Sequence, residues 1–197
     1  MSLPQAVAPL ARPLTRPNPP DIPALVVDAG TPSETVVTES AAVLTYLAAL
    51  GGPEAEARLL GRDALRRGQT AELLTFTSAT IHGQGYGSIW RPLRFTDDEA
   101  AWSGVQAKGR AVVEWAYGVL EQKLAGRPAA AAAASGAGDG DVGVADIYAY
   151  VFWRWGVELG LDMKGKFPRY YSVAKRVEGL ASVQKTLQVE ELAPLAA

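Results

Sequence analysis

The feature that most constrains this chain is the extent of its helical pattern. From Arg62 onward, apolar residues recur at helical spacing over most of the sequence. Only two short β-branched runs precede them, at residues 22–28 and 35–38, with a Gly/Pro turn between them. This order predicts one antiparallel hairpin. Because a two-stranded ribbon is marginally stable in water, the hairpin must pack on other elements, and we predict a mostly α-helical fold.

Glycines, prolines and capping residues divide the helical pattern into segments. The predicted helices cover residues 42–50 before Gly51, 63–82 before Gly83, Gly85 and Gly87, about 99–124 after a capping box at Thr96–Glu99, 144–159 before Gly160, 168–180 after Pro168, and a last one capped by Ser182. Gly83-x-Gly85-x-Gly87 follows no strand, so it is not a phosphate-binding loop.

Composition shifts give the domain organisation. Residues 1–21 hold six of the 13 prolines and predict an extended arm. Residues 22–52 form the hairpin and one helix, and residues 58–197 form a helical domain. Within the latter, six alanines and a Gly/Asp run at residues 129–141 predict a mobile, dispensable loop.

Composition also excludes several classes of function. The 197 residues contain 19 Lys+Arg and 21 Asp+Glu, so no basic field attracts nucleic acid or an anionic membrane. With no cysteine and one histidine, disulfides, a cysteine nucleophile and a metal site are not expected. No apolar run approaches the ~20 residues of a membrane helix, and we expect a cytoplasmic protein.

His82 is the residue best suited to acid–base chemistry near neutral pH. We predict that it ends a helix, where the helix dipole would raise its pKa. Tyr86, Trp90, Arg91 and Arg94 follow within twelve residues. They are interpreted either as an apolar cleft with a cationic rim or as ordinary packing with solvated arginines, and His82 either as catalytic or as a surface histidine.

A second aromatic group lies on the predicted helix from Val144. Ile147, Val151 and Trp155 are one turn apart and predict a buried stripe. Trp155 is expected in the core or in a cleft wall, and Trp153, on the opposite side, is expected to face a partner.

Three segments together resemble the glutathione S-transferases. Ile22-Pro23-Ala24-Leu25 followed by Thr38–Leu47 resembles the glutathione-binding half of that family, and Val144–Tyr148 through Arg154-Trp155 resembles its core helix. The tail from Phe167 to Leu187 matches as well, and Ser78–Phe95 looks most like the bacterial beta-type branch. The resemblance implies a thioredoxin-like part at residues 22–52, with the arm in place of its first strand-helix-strand.

The resemblance also implies roles for individual residues. Pro23 would be cis and turn the backbone of Ile22 toward the cysteinyl part of glutathione, while Glu39 and Ser40 would hold the γ-glutamyl end. The alternative is that Thr38 or Ser40 only caps the helix. Asp146 would bond back to the start of its own helix, and His82 would line the active site.

The residue that activates the glutathione thiol in this family is a Tyr, Ser or Cys of the first strand-helix-strand. Here no tyrosine precedes Tyr46, no cysteine exists, and Ser2 is expected to lie in a frayed segment that cannot position its hydroxyl. Glutathione is therefore expected as a cofactor with a weakened site. We predict an atypical transferase, isomerase or cyclase-type enzyme, dimeric, that acts on an apolar or aromatic small molecule. The alternatives are an enzyme of this fold without glutathione and a non-catalytic binding or assembly module.

Overall fold

A computed structural model describes residues 23–125 and 142–196. The chain divides into two compact units between Glu56 and Ala57. The proline-rich arm, Ile22 and the alanine-rich loop lie outside the described residues, so what the sequence predicts for them stays a prediction.

The first unit contains the hairpin and one helix. Strand β1 (Ala24–Val27) pairs antiparallel with β2 (Thr35–Thr38), and Ala24 lies opposite Thr38. In the connecting turn, Gly30 adopts a φ of 77°, which favours glycine, and its N–H donates to the Glu34 carboxylate at 2.7 Å. Helix α1 (Ser40–Leu50) follows β2 directly. The predicted hairpin-plus-helix is confirmed.

The second unit is helical, and α2 crosses the boundary into it. Its elements are α2 (Gly52–Leu60), α3 (Ala64–Phe76), a π-helix (Thr77–Tyr86), α4 (Gly87–Trp90), 3₁₀ turns at Pro92–Arg94 and Glu99–Ala101, α5 (Trp102–Ala125), α6 (Val144–Glu158), α7 (Met163–Lys166), α8 (Pro168–Glu178) and α9 (Ala181–Val189). The mostly α-helical class is confirmed. In the described part of the chain, no helix combines the length and the hydrophobicity needed to cross a bilayer.

The predicted helix end at His82 is wrong. The backbone continues through Gly83 and Gly85 as the π-helix, and the Gly87 N–H donates to the His82 carbonyl. The glycines allow close packing instead of a turn: a Cβ at Gly85 would lie 2.6 Å from Cγ2 of Val113 in α5. Tertiary contact with α5 therefore overrides the weak helix propensity of glycine.

The predicted stripe on α6 is also wrong. Val151 is 40% exposed, whereas Trp153, expected to face a partner, is 1% exposed. The Trp153 ring packs 5.4 Å from the Tyr170 ring of α8. Because α6 contacts α3, α7, α8 and the π-helix, most of its circumference is buried, and a single-stripe pattern does not apply to such a helix.

The start of α5 differs from the predicted capping box. Asp98, not Thr96, caps the first turn by accepting from the Ala100 N–H at 3.0 Å, and the Thr96 hydroxyl accepts from the Asp98 N–H. At α6 the expected bond is confirmed, since the Gly143 N–H donates to Oδ2 of Asp146 at 3.0 Å.

A buried acid holds the C-terminal segment against α6 and α8. Glu178 accepts hydrogen bonds from the Tyr150 hydroxyl and from the N–H groups of Leu195 and Ala196. Burial alone would raise the pKa of Glu178, but these bonds and the nearby charge of Arg154 together lower it. The carboxylate is therefore ionised and stabilises the folded tail.

Candidate functional site

Six rings from two parts of the second unit form one aromatic cluster. The π-helix and α4 supply three of them at successive four-residue intervals, and α6 supplies the other three. Its members are His82, Tyr86, Trp90, Tyr148, Phe152 and Trp155. The rings of each segment are three or four residues apart, which is close to one turn in both helix types, so the three rings of each segment share a face.

Trp155 lies at the centre of the aromatic cluster. Its ring centroid is 5.8 Å from that of His82, 5.0 Å from that of Tyr86 and 4.7 Å from that of Trp90. The last two are edge-to-face contacts, which aromatic pairs favour. The structure thus brings together four of the residues singled out in the sequence.

Exposure changes across the aromatic cluster. Tyr86 and Phe152 are buried, Trp155 is half-buried, and Trp90 is 49% exposed. His82 is also exposed on one side. The cluster therefore has a buried base and an accessible edge formed by His82, Trp90 and Trp155.

The hydroxyl of Tyr86 is committed to the core. It lies 2.7 Å from the hydroxyl of Tyr117, which donates to the Phe152 carbonyl at 2.5 Å, so Tyr86 is the donor of the pair. Burial raises the pKa of Tyr86 well above its usual value. Tyr86 is a neutral support beneath Trp90 and Trp155, and its hydroxyl does not reach solvent.

The electrostatics of His82 are opposite to the sequence expectation. Partial burial against Phe152 and Trp155 lowers its pKa below 6.5, and the charges of Arg94 and Arg91 lower it further. The predicted rise is wrong because the helix does not end at His82, so no dipole terminus faces the ring. The imidazole is neutral at pH 7 and retains a lone pair that can accept a proton.

Arg91 and Arg94 flank this edge on a tight turn. The chain leaves α4 at Arg91, and the Arg94 N–H donates to the Arg91 carbonyl at 3.0 Å. Both side chains are exposed, and neither forms an ion pair with an acidic residue of the described segments. Leu93 and Phe95, on the same turn, are 60% and 51% exposed.

The residues expected to hold glutathione lie in the first unit. Glu39 precedes α1 with a φ of 71°, a region that costs a non-glycine residue about 1–3 kcal/mol, and its side chain does not cap the helix. No side-chain hydrogen bond to the first-turn amides is present in the described part, so Thr38 and Ser40 do not act as caps there. Uncapped amides and a positive dipole end suit a carboxylate. Pro23 and Glu39 are exposed, and Ser40 is half-buried.

The sequence analysis did not identify Phe152, Tyr148 and Tyr117 as site residues. The spacing of Tyr148, Phe152 and Trp155 could have placed these three rings on one helix face.

Across residues 23–125 and 142–196, no group of three or more His, Asp or Glu side chains is arranged to hold a metal ion.

No protein-family model and no curated protein sequence matches the chain. Among solved structures, it is similar to a glutathione transferase homologue from Sulfitobacter with bound glutathione (19% identity, TM-score 0.67, 82% of this chain and 72% of that one). It is also similar to a bacterial beta-class glutathione S-transferase from Sphingomonas chungbukensis (25% identity, TM-score 0.63, 87% and 75%). A third is the nitrogen regulation fragment of the yeast prion protein Ure2p (23% identity, TM-score 0.56, 78% and 68%).

The solved structures superpose on most of this chain, with TM-scores between 0.56 and 0.67. In this chain the described part of the first unit is the hairpin and α1, and the second unit carries the aromatic cluster. The chain therefore has the fold of the glutathione S-transferase superfamily, mostly α-helical and with a hairpin-plus-helix as its thioredoxin-like part.

Proposed function

We propose that the protein is a glutathione S-transferase-like enzyme that transfers a proton on an apolar or aromatic small molecule, with His82 as the acid–base group. One observation carries this proposal: the single histidine of the chain holds a neutral imidazole at the accessible edge of the aromatic cluster. A general base near neutrality contributes typically ~10²–10⁴-fold to a rate.

The surrounding residues then have separate tasks. Trp90 and Trp155 offer ring faces to an apolar substrate, and Tyr86 supports both from beneath. Arg91 lies on the rim and stabilises negative charge that develops on the substrate. His82 takes a proton from a substrate carbon and returns it to another atom, or releases it to water. Isomerisation, elimination and ring closure all need this single group.

We further propose a weak glutathione site in the first unit. The first-turn amides of α1 and the Ser40 hydroxyl would bind a carboxylate, Glu39 would bind an ammonium group, and Pro23 would orient the backbone of Ile22. Glutathione, when bound, supplies a thiol nucleophile. No tyrosine precedes Tyr46 and no cysteine is present, so we expect weak conjugation to aromatic electrophiles.

The probe for proton transfer is 5-nitrobenzisoxazole. Removal of its C3 proton by a base breaks the ring N–O bond and gives a coloured cyanophenolate, with no other reactant needed. We expect the protein to accelerate this opening, His82→Gln to abolish the acceleration, and Ser2→Ala to retain it. A rate no faster than buffer, or one that survives His82→Gln, would contradict the proposal.

Glutathione binding is tested separately, by titration of the full chain and by retention on immobilised glutathione. We expect weak binding that Glu39→Gln and Ser40→Ala reduce further. Glu34→Gln, an exposed change in the hairpin turn, is the control and should leave binding intact. Binding that ignores both α1 substitutions would contradict the assignment of this site.

A non-catalytic binding or assembly module is the second candidate. The similarity to a structure described as a nitrogen regulation fragment favours it. The two candidates differ in turnover, since a module would bind aromatic ligands at the cluster but show no His82-dependent proton transfer.

We also propose a homodimer. Each unit exposes large apolar side chains: Leu47 and Leu50 in the first, Leu65 and Trp115 in the second. Burial of such surface is the usual driving force for association. Light scattering at micromolar concentration is the test, and a monomer there would contradict the proposal. The cytoplasmic location stays a prediction from the sequence.

A further inference from the structure

The accessible edge of the aromatic cluster combines ring faces with positive charge. Trp90 is 49% exposed although Tyr86 and Trp155 pack on it, with ring centroids 4.6 and 4.7 Å from that of Trp90. A large indole that is held rigidly and still open to solvent loses little conformational entropy when a flat ligand stacks on it.

Two guanidinium groups stand beside this surface without an acidic partner. The ion pairs of the described residues engage Lys123, Arg154, Lys166 and Arg169, but neither Arg91 nor Arg94. Both arginines influence His82, which places their charge next to the same edge. Guanidinium groups bind carboxylates through paired N–H donors.

No acidic group of the described residues in this region forms an ion pair with Arg91 or Arg94. Asp98 follows Arg94 in the chain, but its carboxylate caps the next helical turn. Asp97 and Glu158 are exposed and make no ion pair in the described part. The charge of Glu158 contributes to the raised pKa of Tyr86. His82 adds no charge at pH 7. Arg91 and Arg94 therefore keep their N–H donors free of carboxylate partners within the described residues.

We propose that this edge selects aromatic anions: a flat ring stacks on Trp90 and Trp155 while its carboxylate binds Arg91 and Arg94. This inference rests on the proposed function, which gives the position of the substrate site. It adds that the substrate is an anion. A neutral analogue of the same shape keeps the stacking but leaves the arginines in water. We expect a preference of about tenfold or more for the anion.

The probes are naphthalene-2-carboxylate and its neutral, equally sized carboxamide. Each is titrated into the full chain at pH 7.5 while tryptophan fluorescence is recorded. We expect the carboxylate to bind at least tenfold more tightly, and this preference to shrink in 1 M salt, where the screening length falls to about 3 Å. Trp90→Leu should weaken both ligands.

The double variant Arg91→Gln/Arg94→Gln should bind the carboxylate no better than the carboxamide. Arg176→Gln, an exposed arginine on α8, is the matched control and should keep the full preference. Circular dichroism with an unchanged unfolding temperature verifies that the double variant is folded.

Equal affinity of the two probes for the unmodified protein would overturn the inference, as would a preference that survives the double substitution. Neither result touches proton transfer, because 5-nitrobenzisoxazole is neutral. Conversely, if His82→Gln leaves the opening of that probe unchanged while the preference for the carboxylate persists, the proposed function fails and the anion site stands.

Discussion

The imidazole of His82 lies 5.8 Å from the indole of Trp155, ring centroid to ring centroid, at an angle of 55°. The two residues come from the π-helix and from α6, so this contact joins the two elements that build the site. It also removes part of the imidazole from water, which is the main reason why the pKa of His82 is low.

The charges of Arg91 and Arg94 should be visible in the pH dependence of activity. Because the base must be neutral, the rate of 5-nitrobenzisoxazole opening should fall as the pH drops through the lowered pKa of His82, below 6.5. Arg91→Gln/Arg94→Gln should move the midpoint of this limb to higher pH. The midpoint should stay below 6.5, because the partial burial of His82 still lowers its pKa. A limb that stays in place or moves to lower pH in the variant would contradict this cause.

Tyr117→Phe should destabilise the protein by about 1–3 kcal/mol. It removes the hydroxyl that accepts from Tyr86 and donates to the Phe152 carbonyl, and it leaves buried polar groups without partners. Urea denaturation measures the change. Tyr171→Phe is the control, because the Tyr171 hydroxyl forms no hydrogen bond in the described part, and it should stay within about 0.5 kcal/mol. Equal effects of both variants would refute the role of the hydroxyl chain.

Gly85→Ala should destabilise by about 1–3 kcal/mol, because the new methyl group would meet Val113 at 2.6 Å. Gly118→Ala, in the middle of α5 with nothing within 4 Å of its Cβ, is the matched control. It should stabilise by up to about 1 kcal/mol through helix propensity. Thermal unfolding compares the two variants, and a neutral Gly85→Ala would show that the π-helix and α5 do not pack closely.

Glu178 should make the stability of the second unit sensitive to acid. Its pKa is lowered in the folded state, so its contribution is present above the ordinary value of 4.5 and is lost as the pH falls through the folded pKa. Glu178→Gln should cost about 3 kcal/mol at pH 7 and flatten the acid limb of the stability curve. Chemical denaturation between pH 7 and pH 3 measures this, and an unchanged limb would contradict it.

Local signals in the sequence were sufficient for the outline of the fold. The Gly/Pro turn between two β-branched runs specifies the hairpin. Gly160 and Pro168 mark real boundaries, because Gly160 adopts the positive φ that follows a helix end and Pro168 has the fixed φ that suits a first helical turn. The elements that were missed depend on distant residues. Gly85 packs closely on Val113 of α5, and Trp153 is covered by Tyr170 and Tyr171 of α8.

The candidate site divides in the same way. His82 was identified because it is the one histidine of the chain, and Tyr86 and Trp90 because they follow it closely. Trp155 was identified from its place on the predicted helix from Val144. The direction of the pKa shift of His82 was not predicted correctly, because it depends on whether the helix ends at His82 and on which rings cover the imidazole. Tyr117 was not identified, because its hydroxyl joins α5 to the π-helix and to α6, and such a contact produces no periodic pattern in the sequence of any single helix.

The most direct test of the proposed chemistry is an NMR titration of His82, whose ring signals are unambiguous because the chain has one histidine. A midpoint below 6.5 that coincides with the acidic limb of 5-nitrobenzisoxazole opening is the predicted result. A midpoint at or above 6.5 would show that the imidazole is neither desolvated by the aromatic cluster nor opposed by Arg91 and Arg94, and would contradict its role as the base.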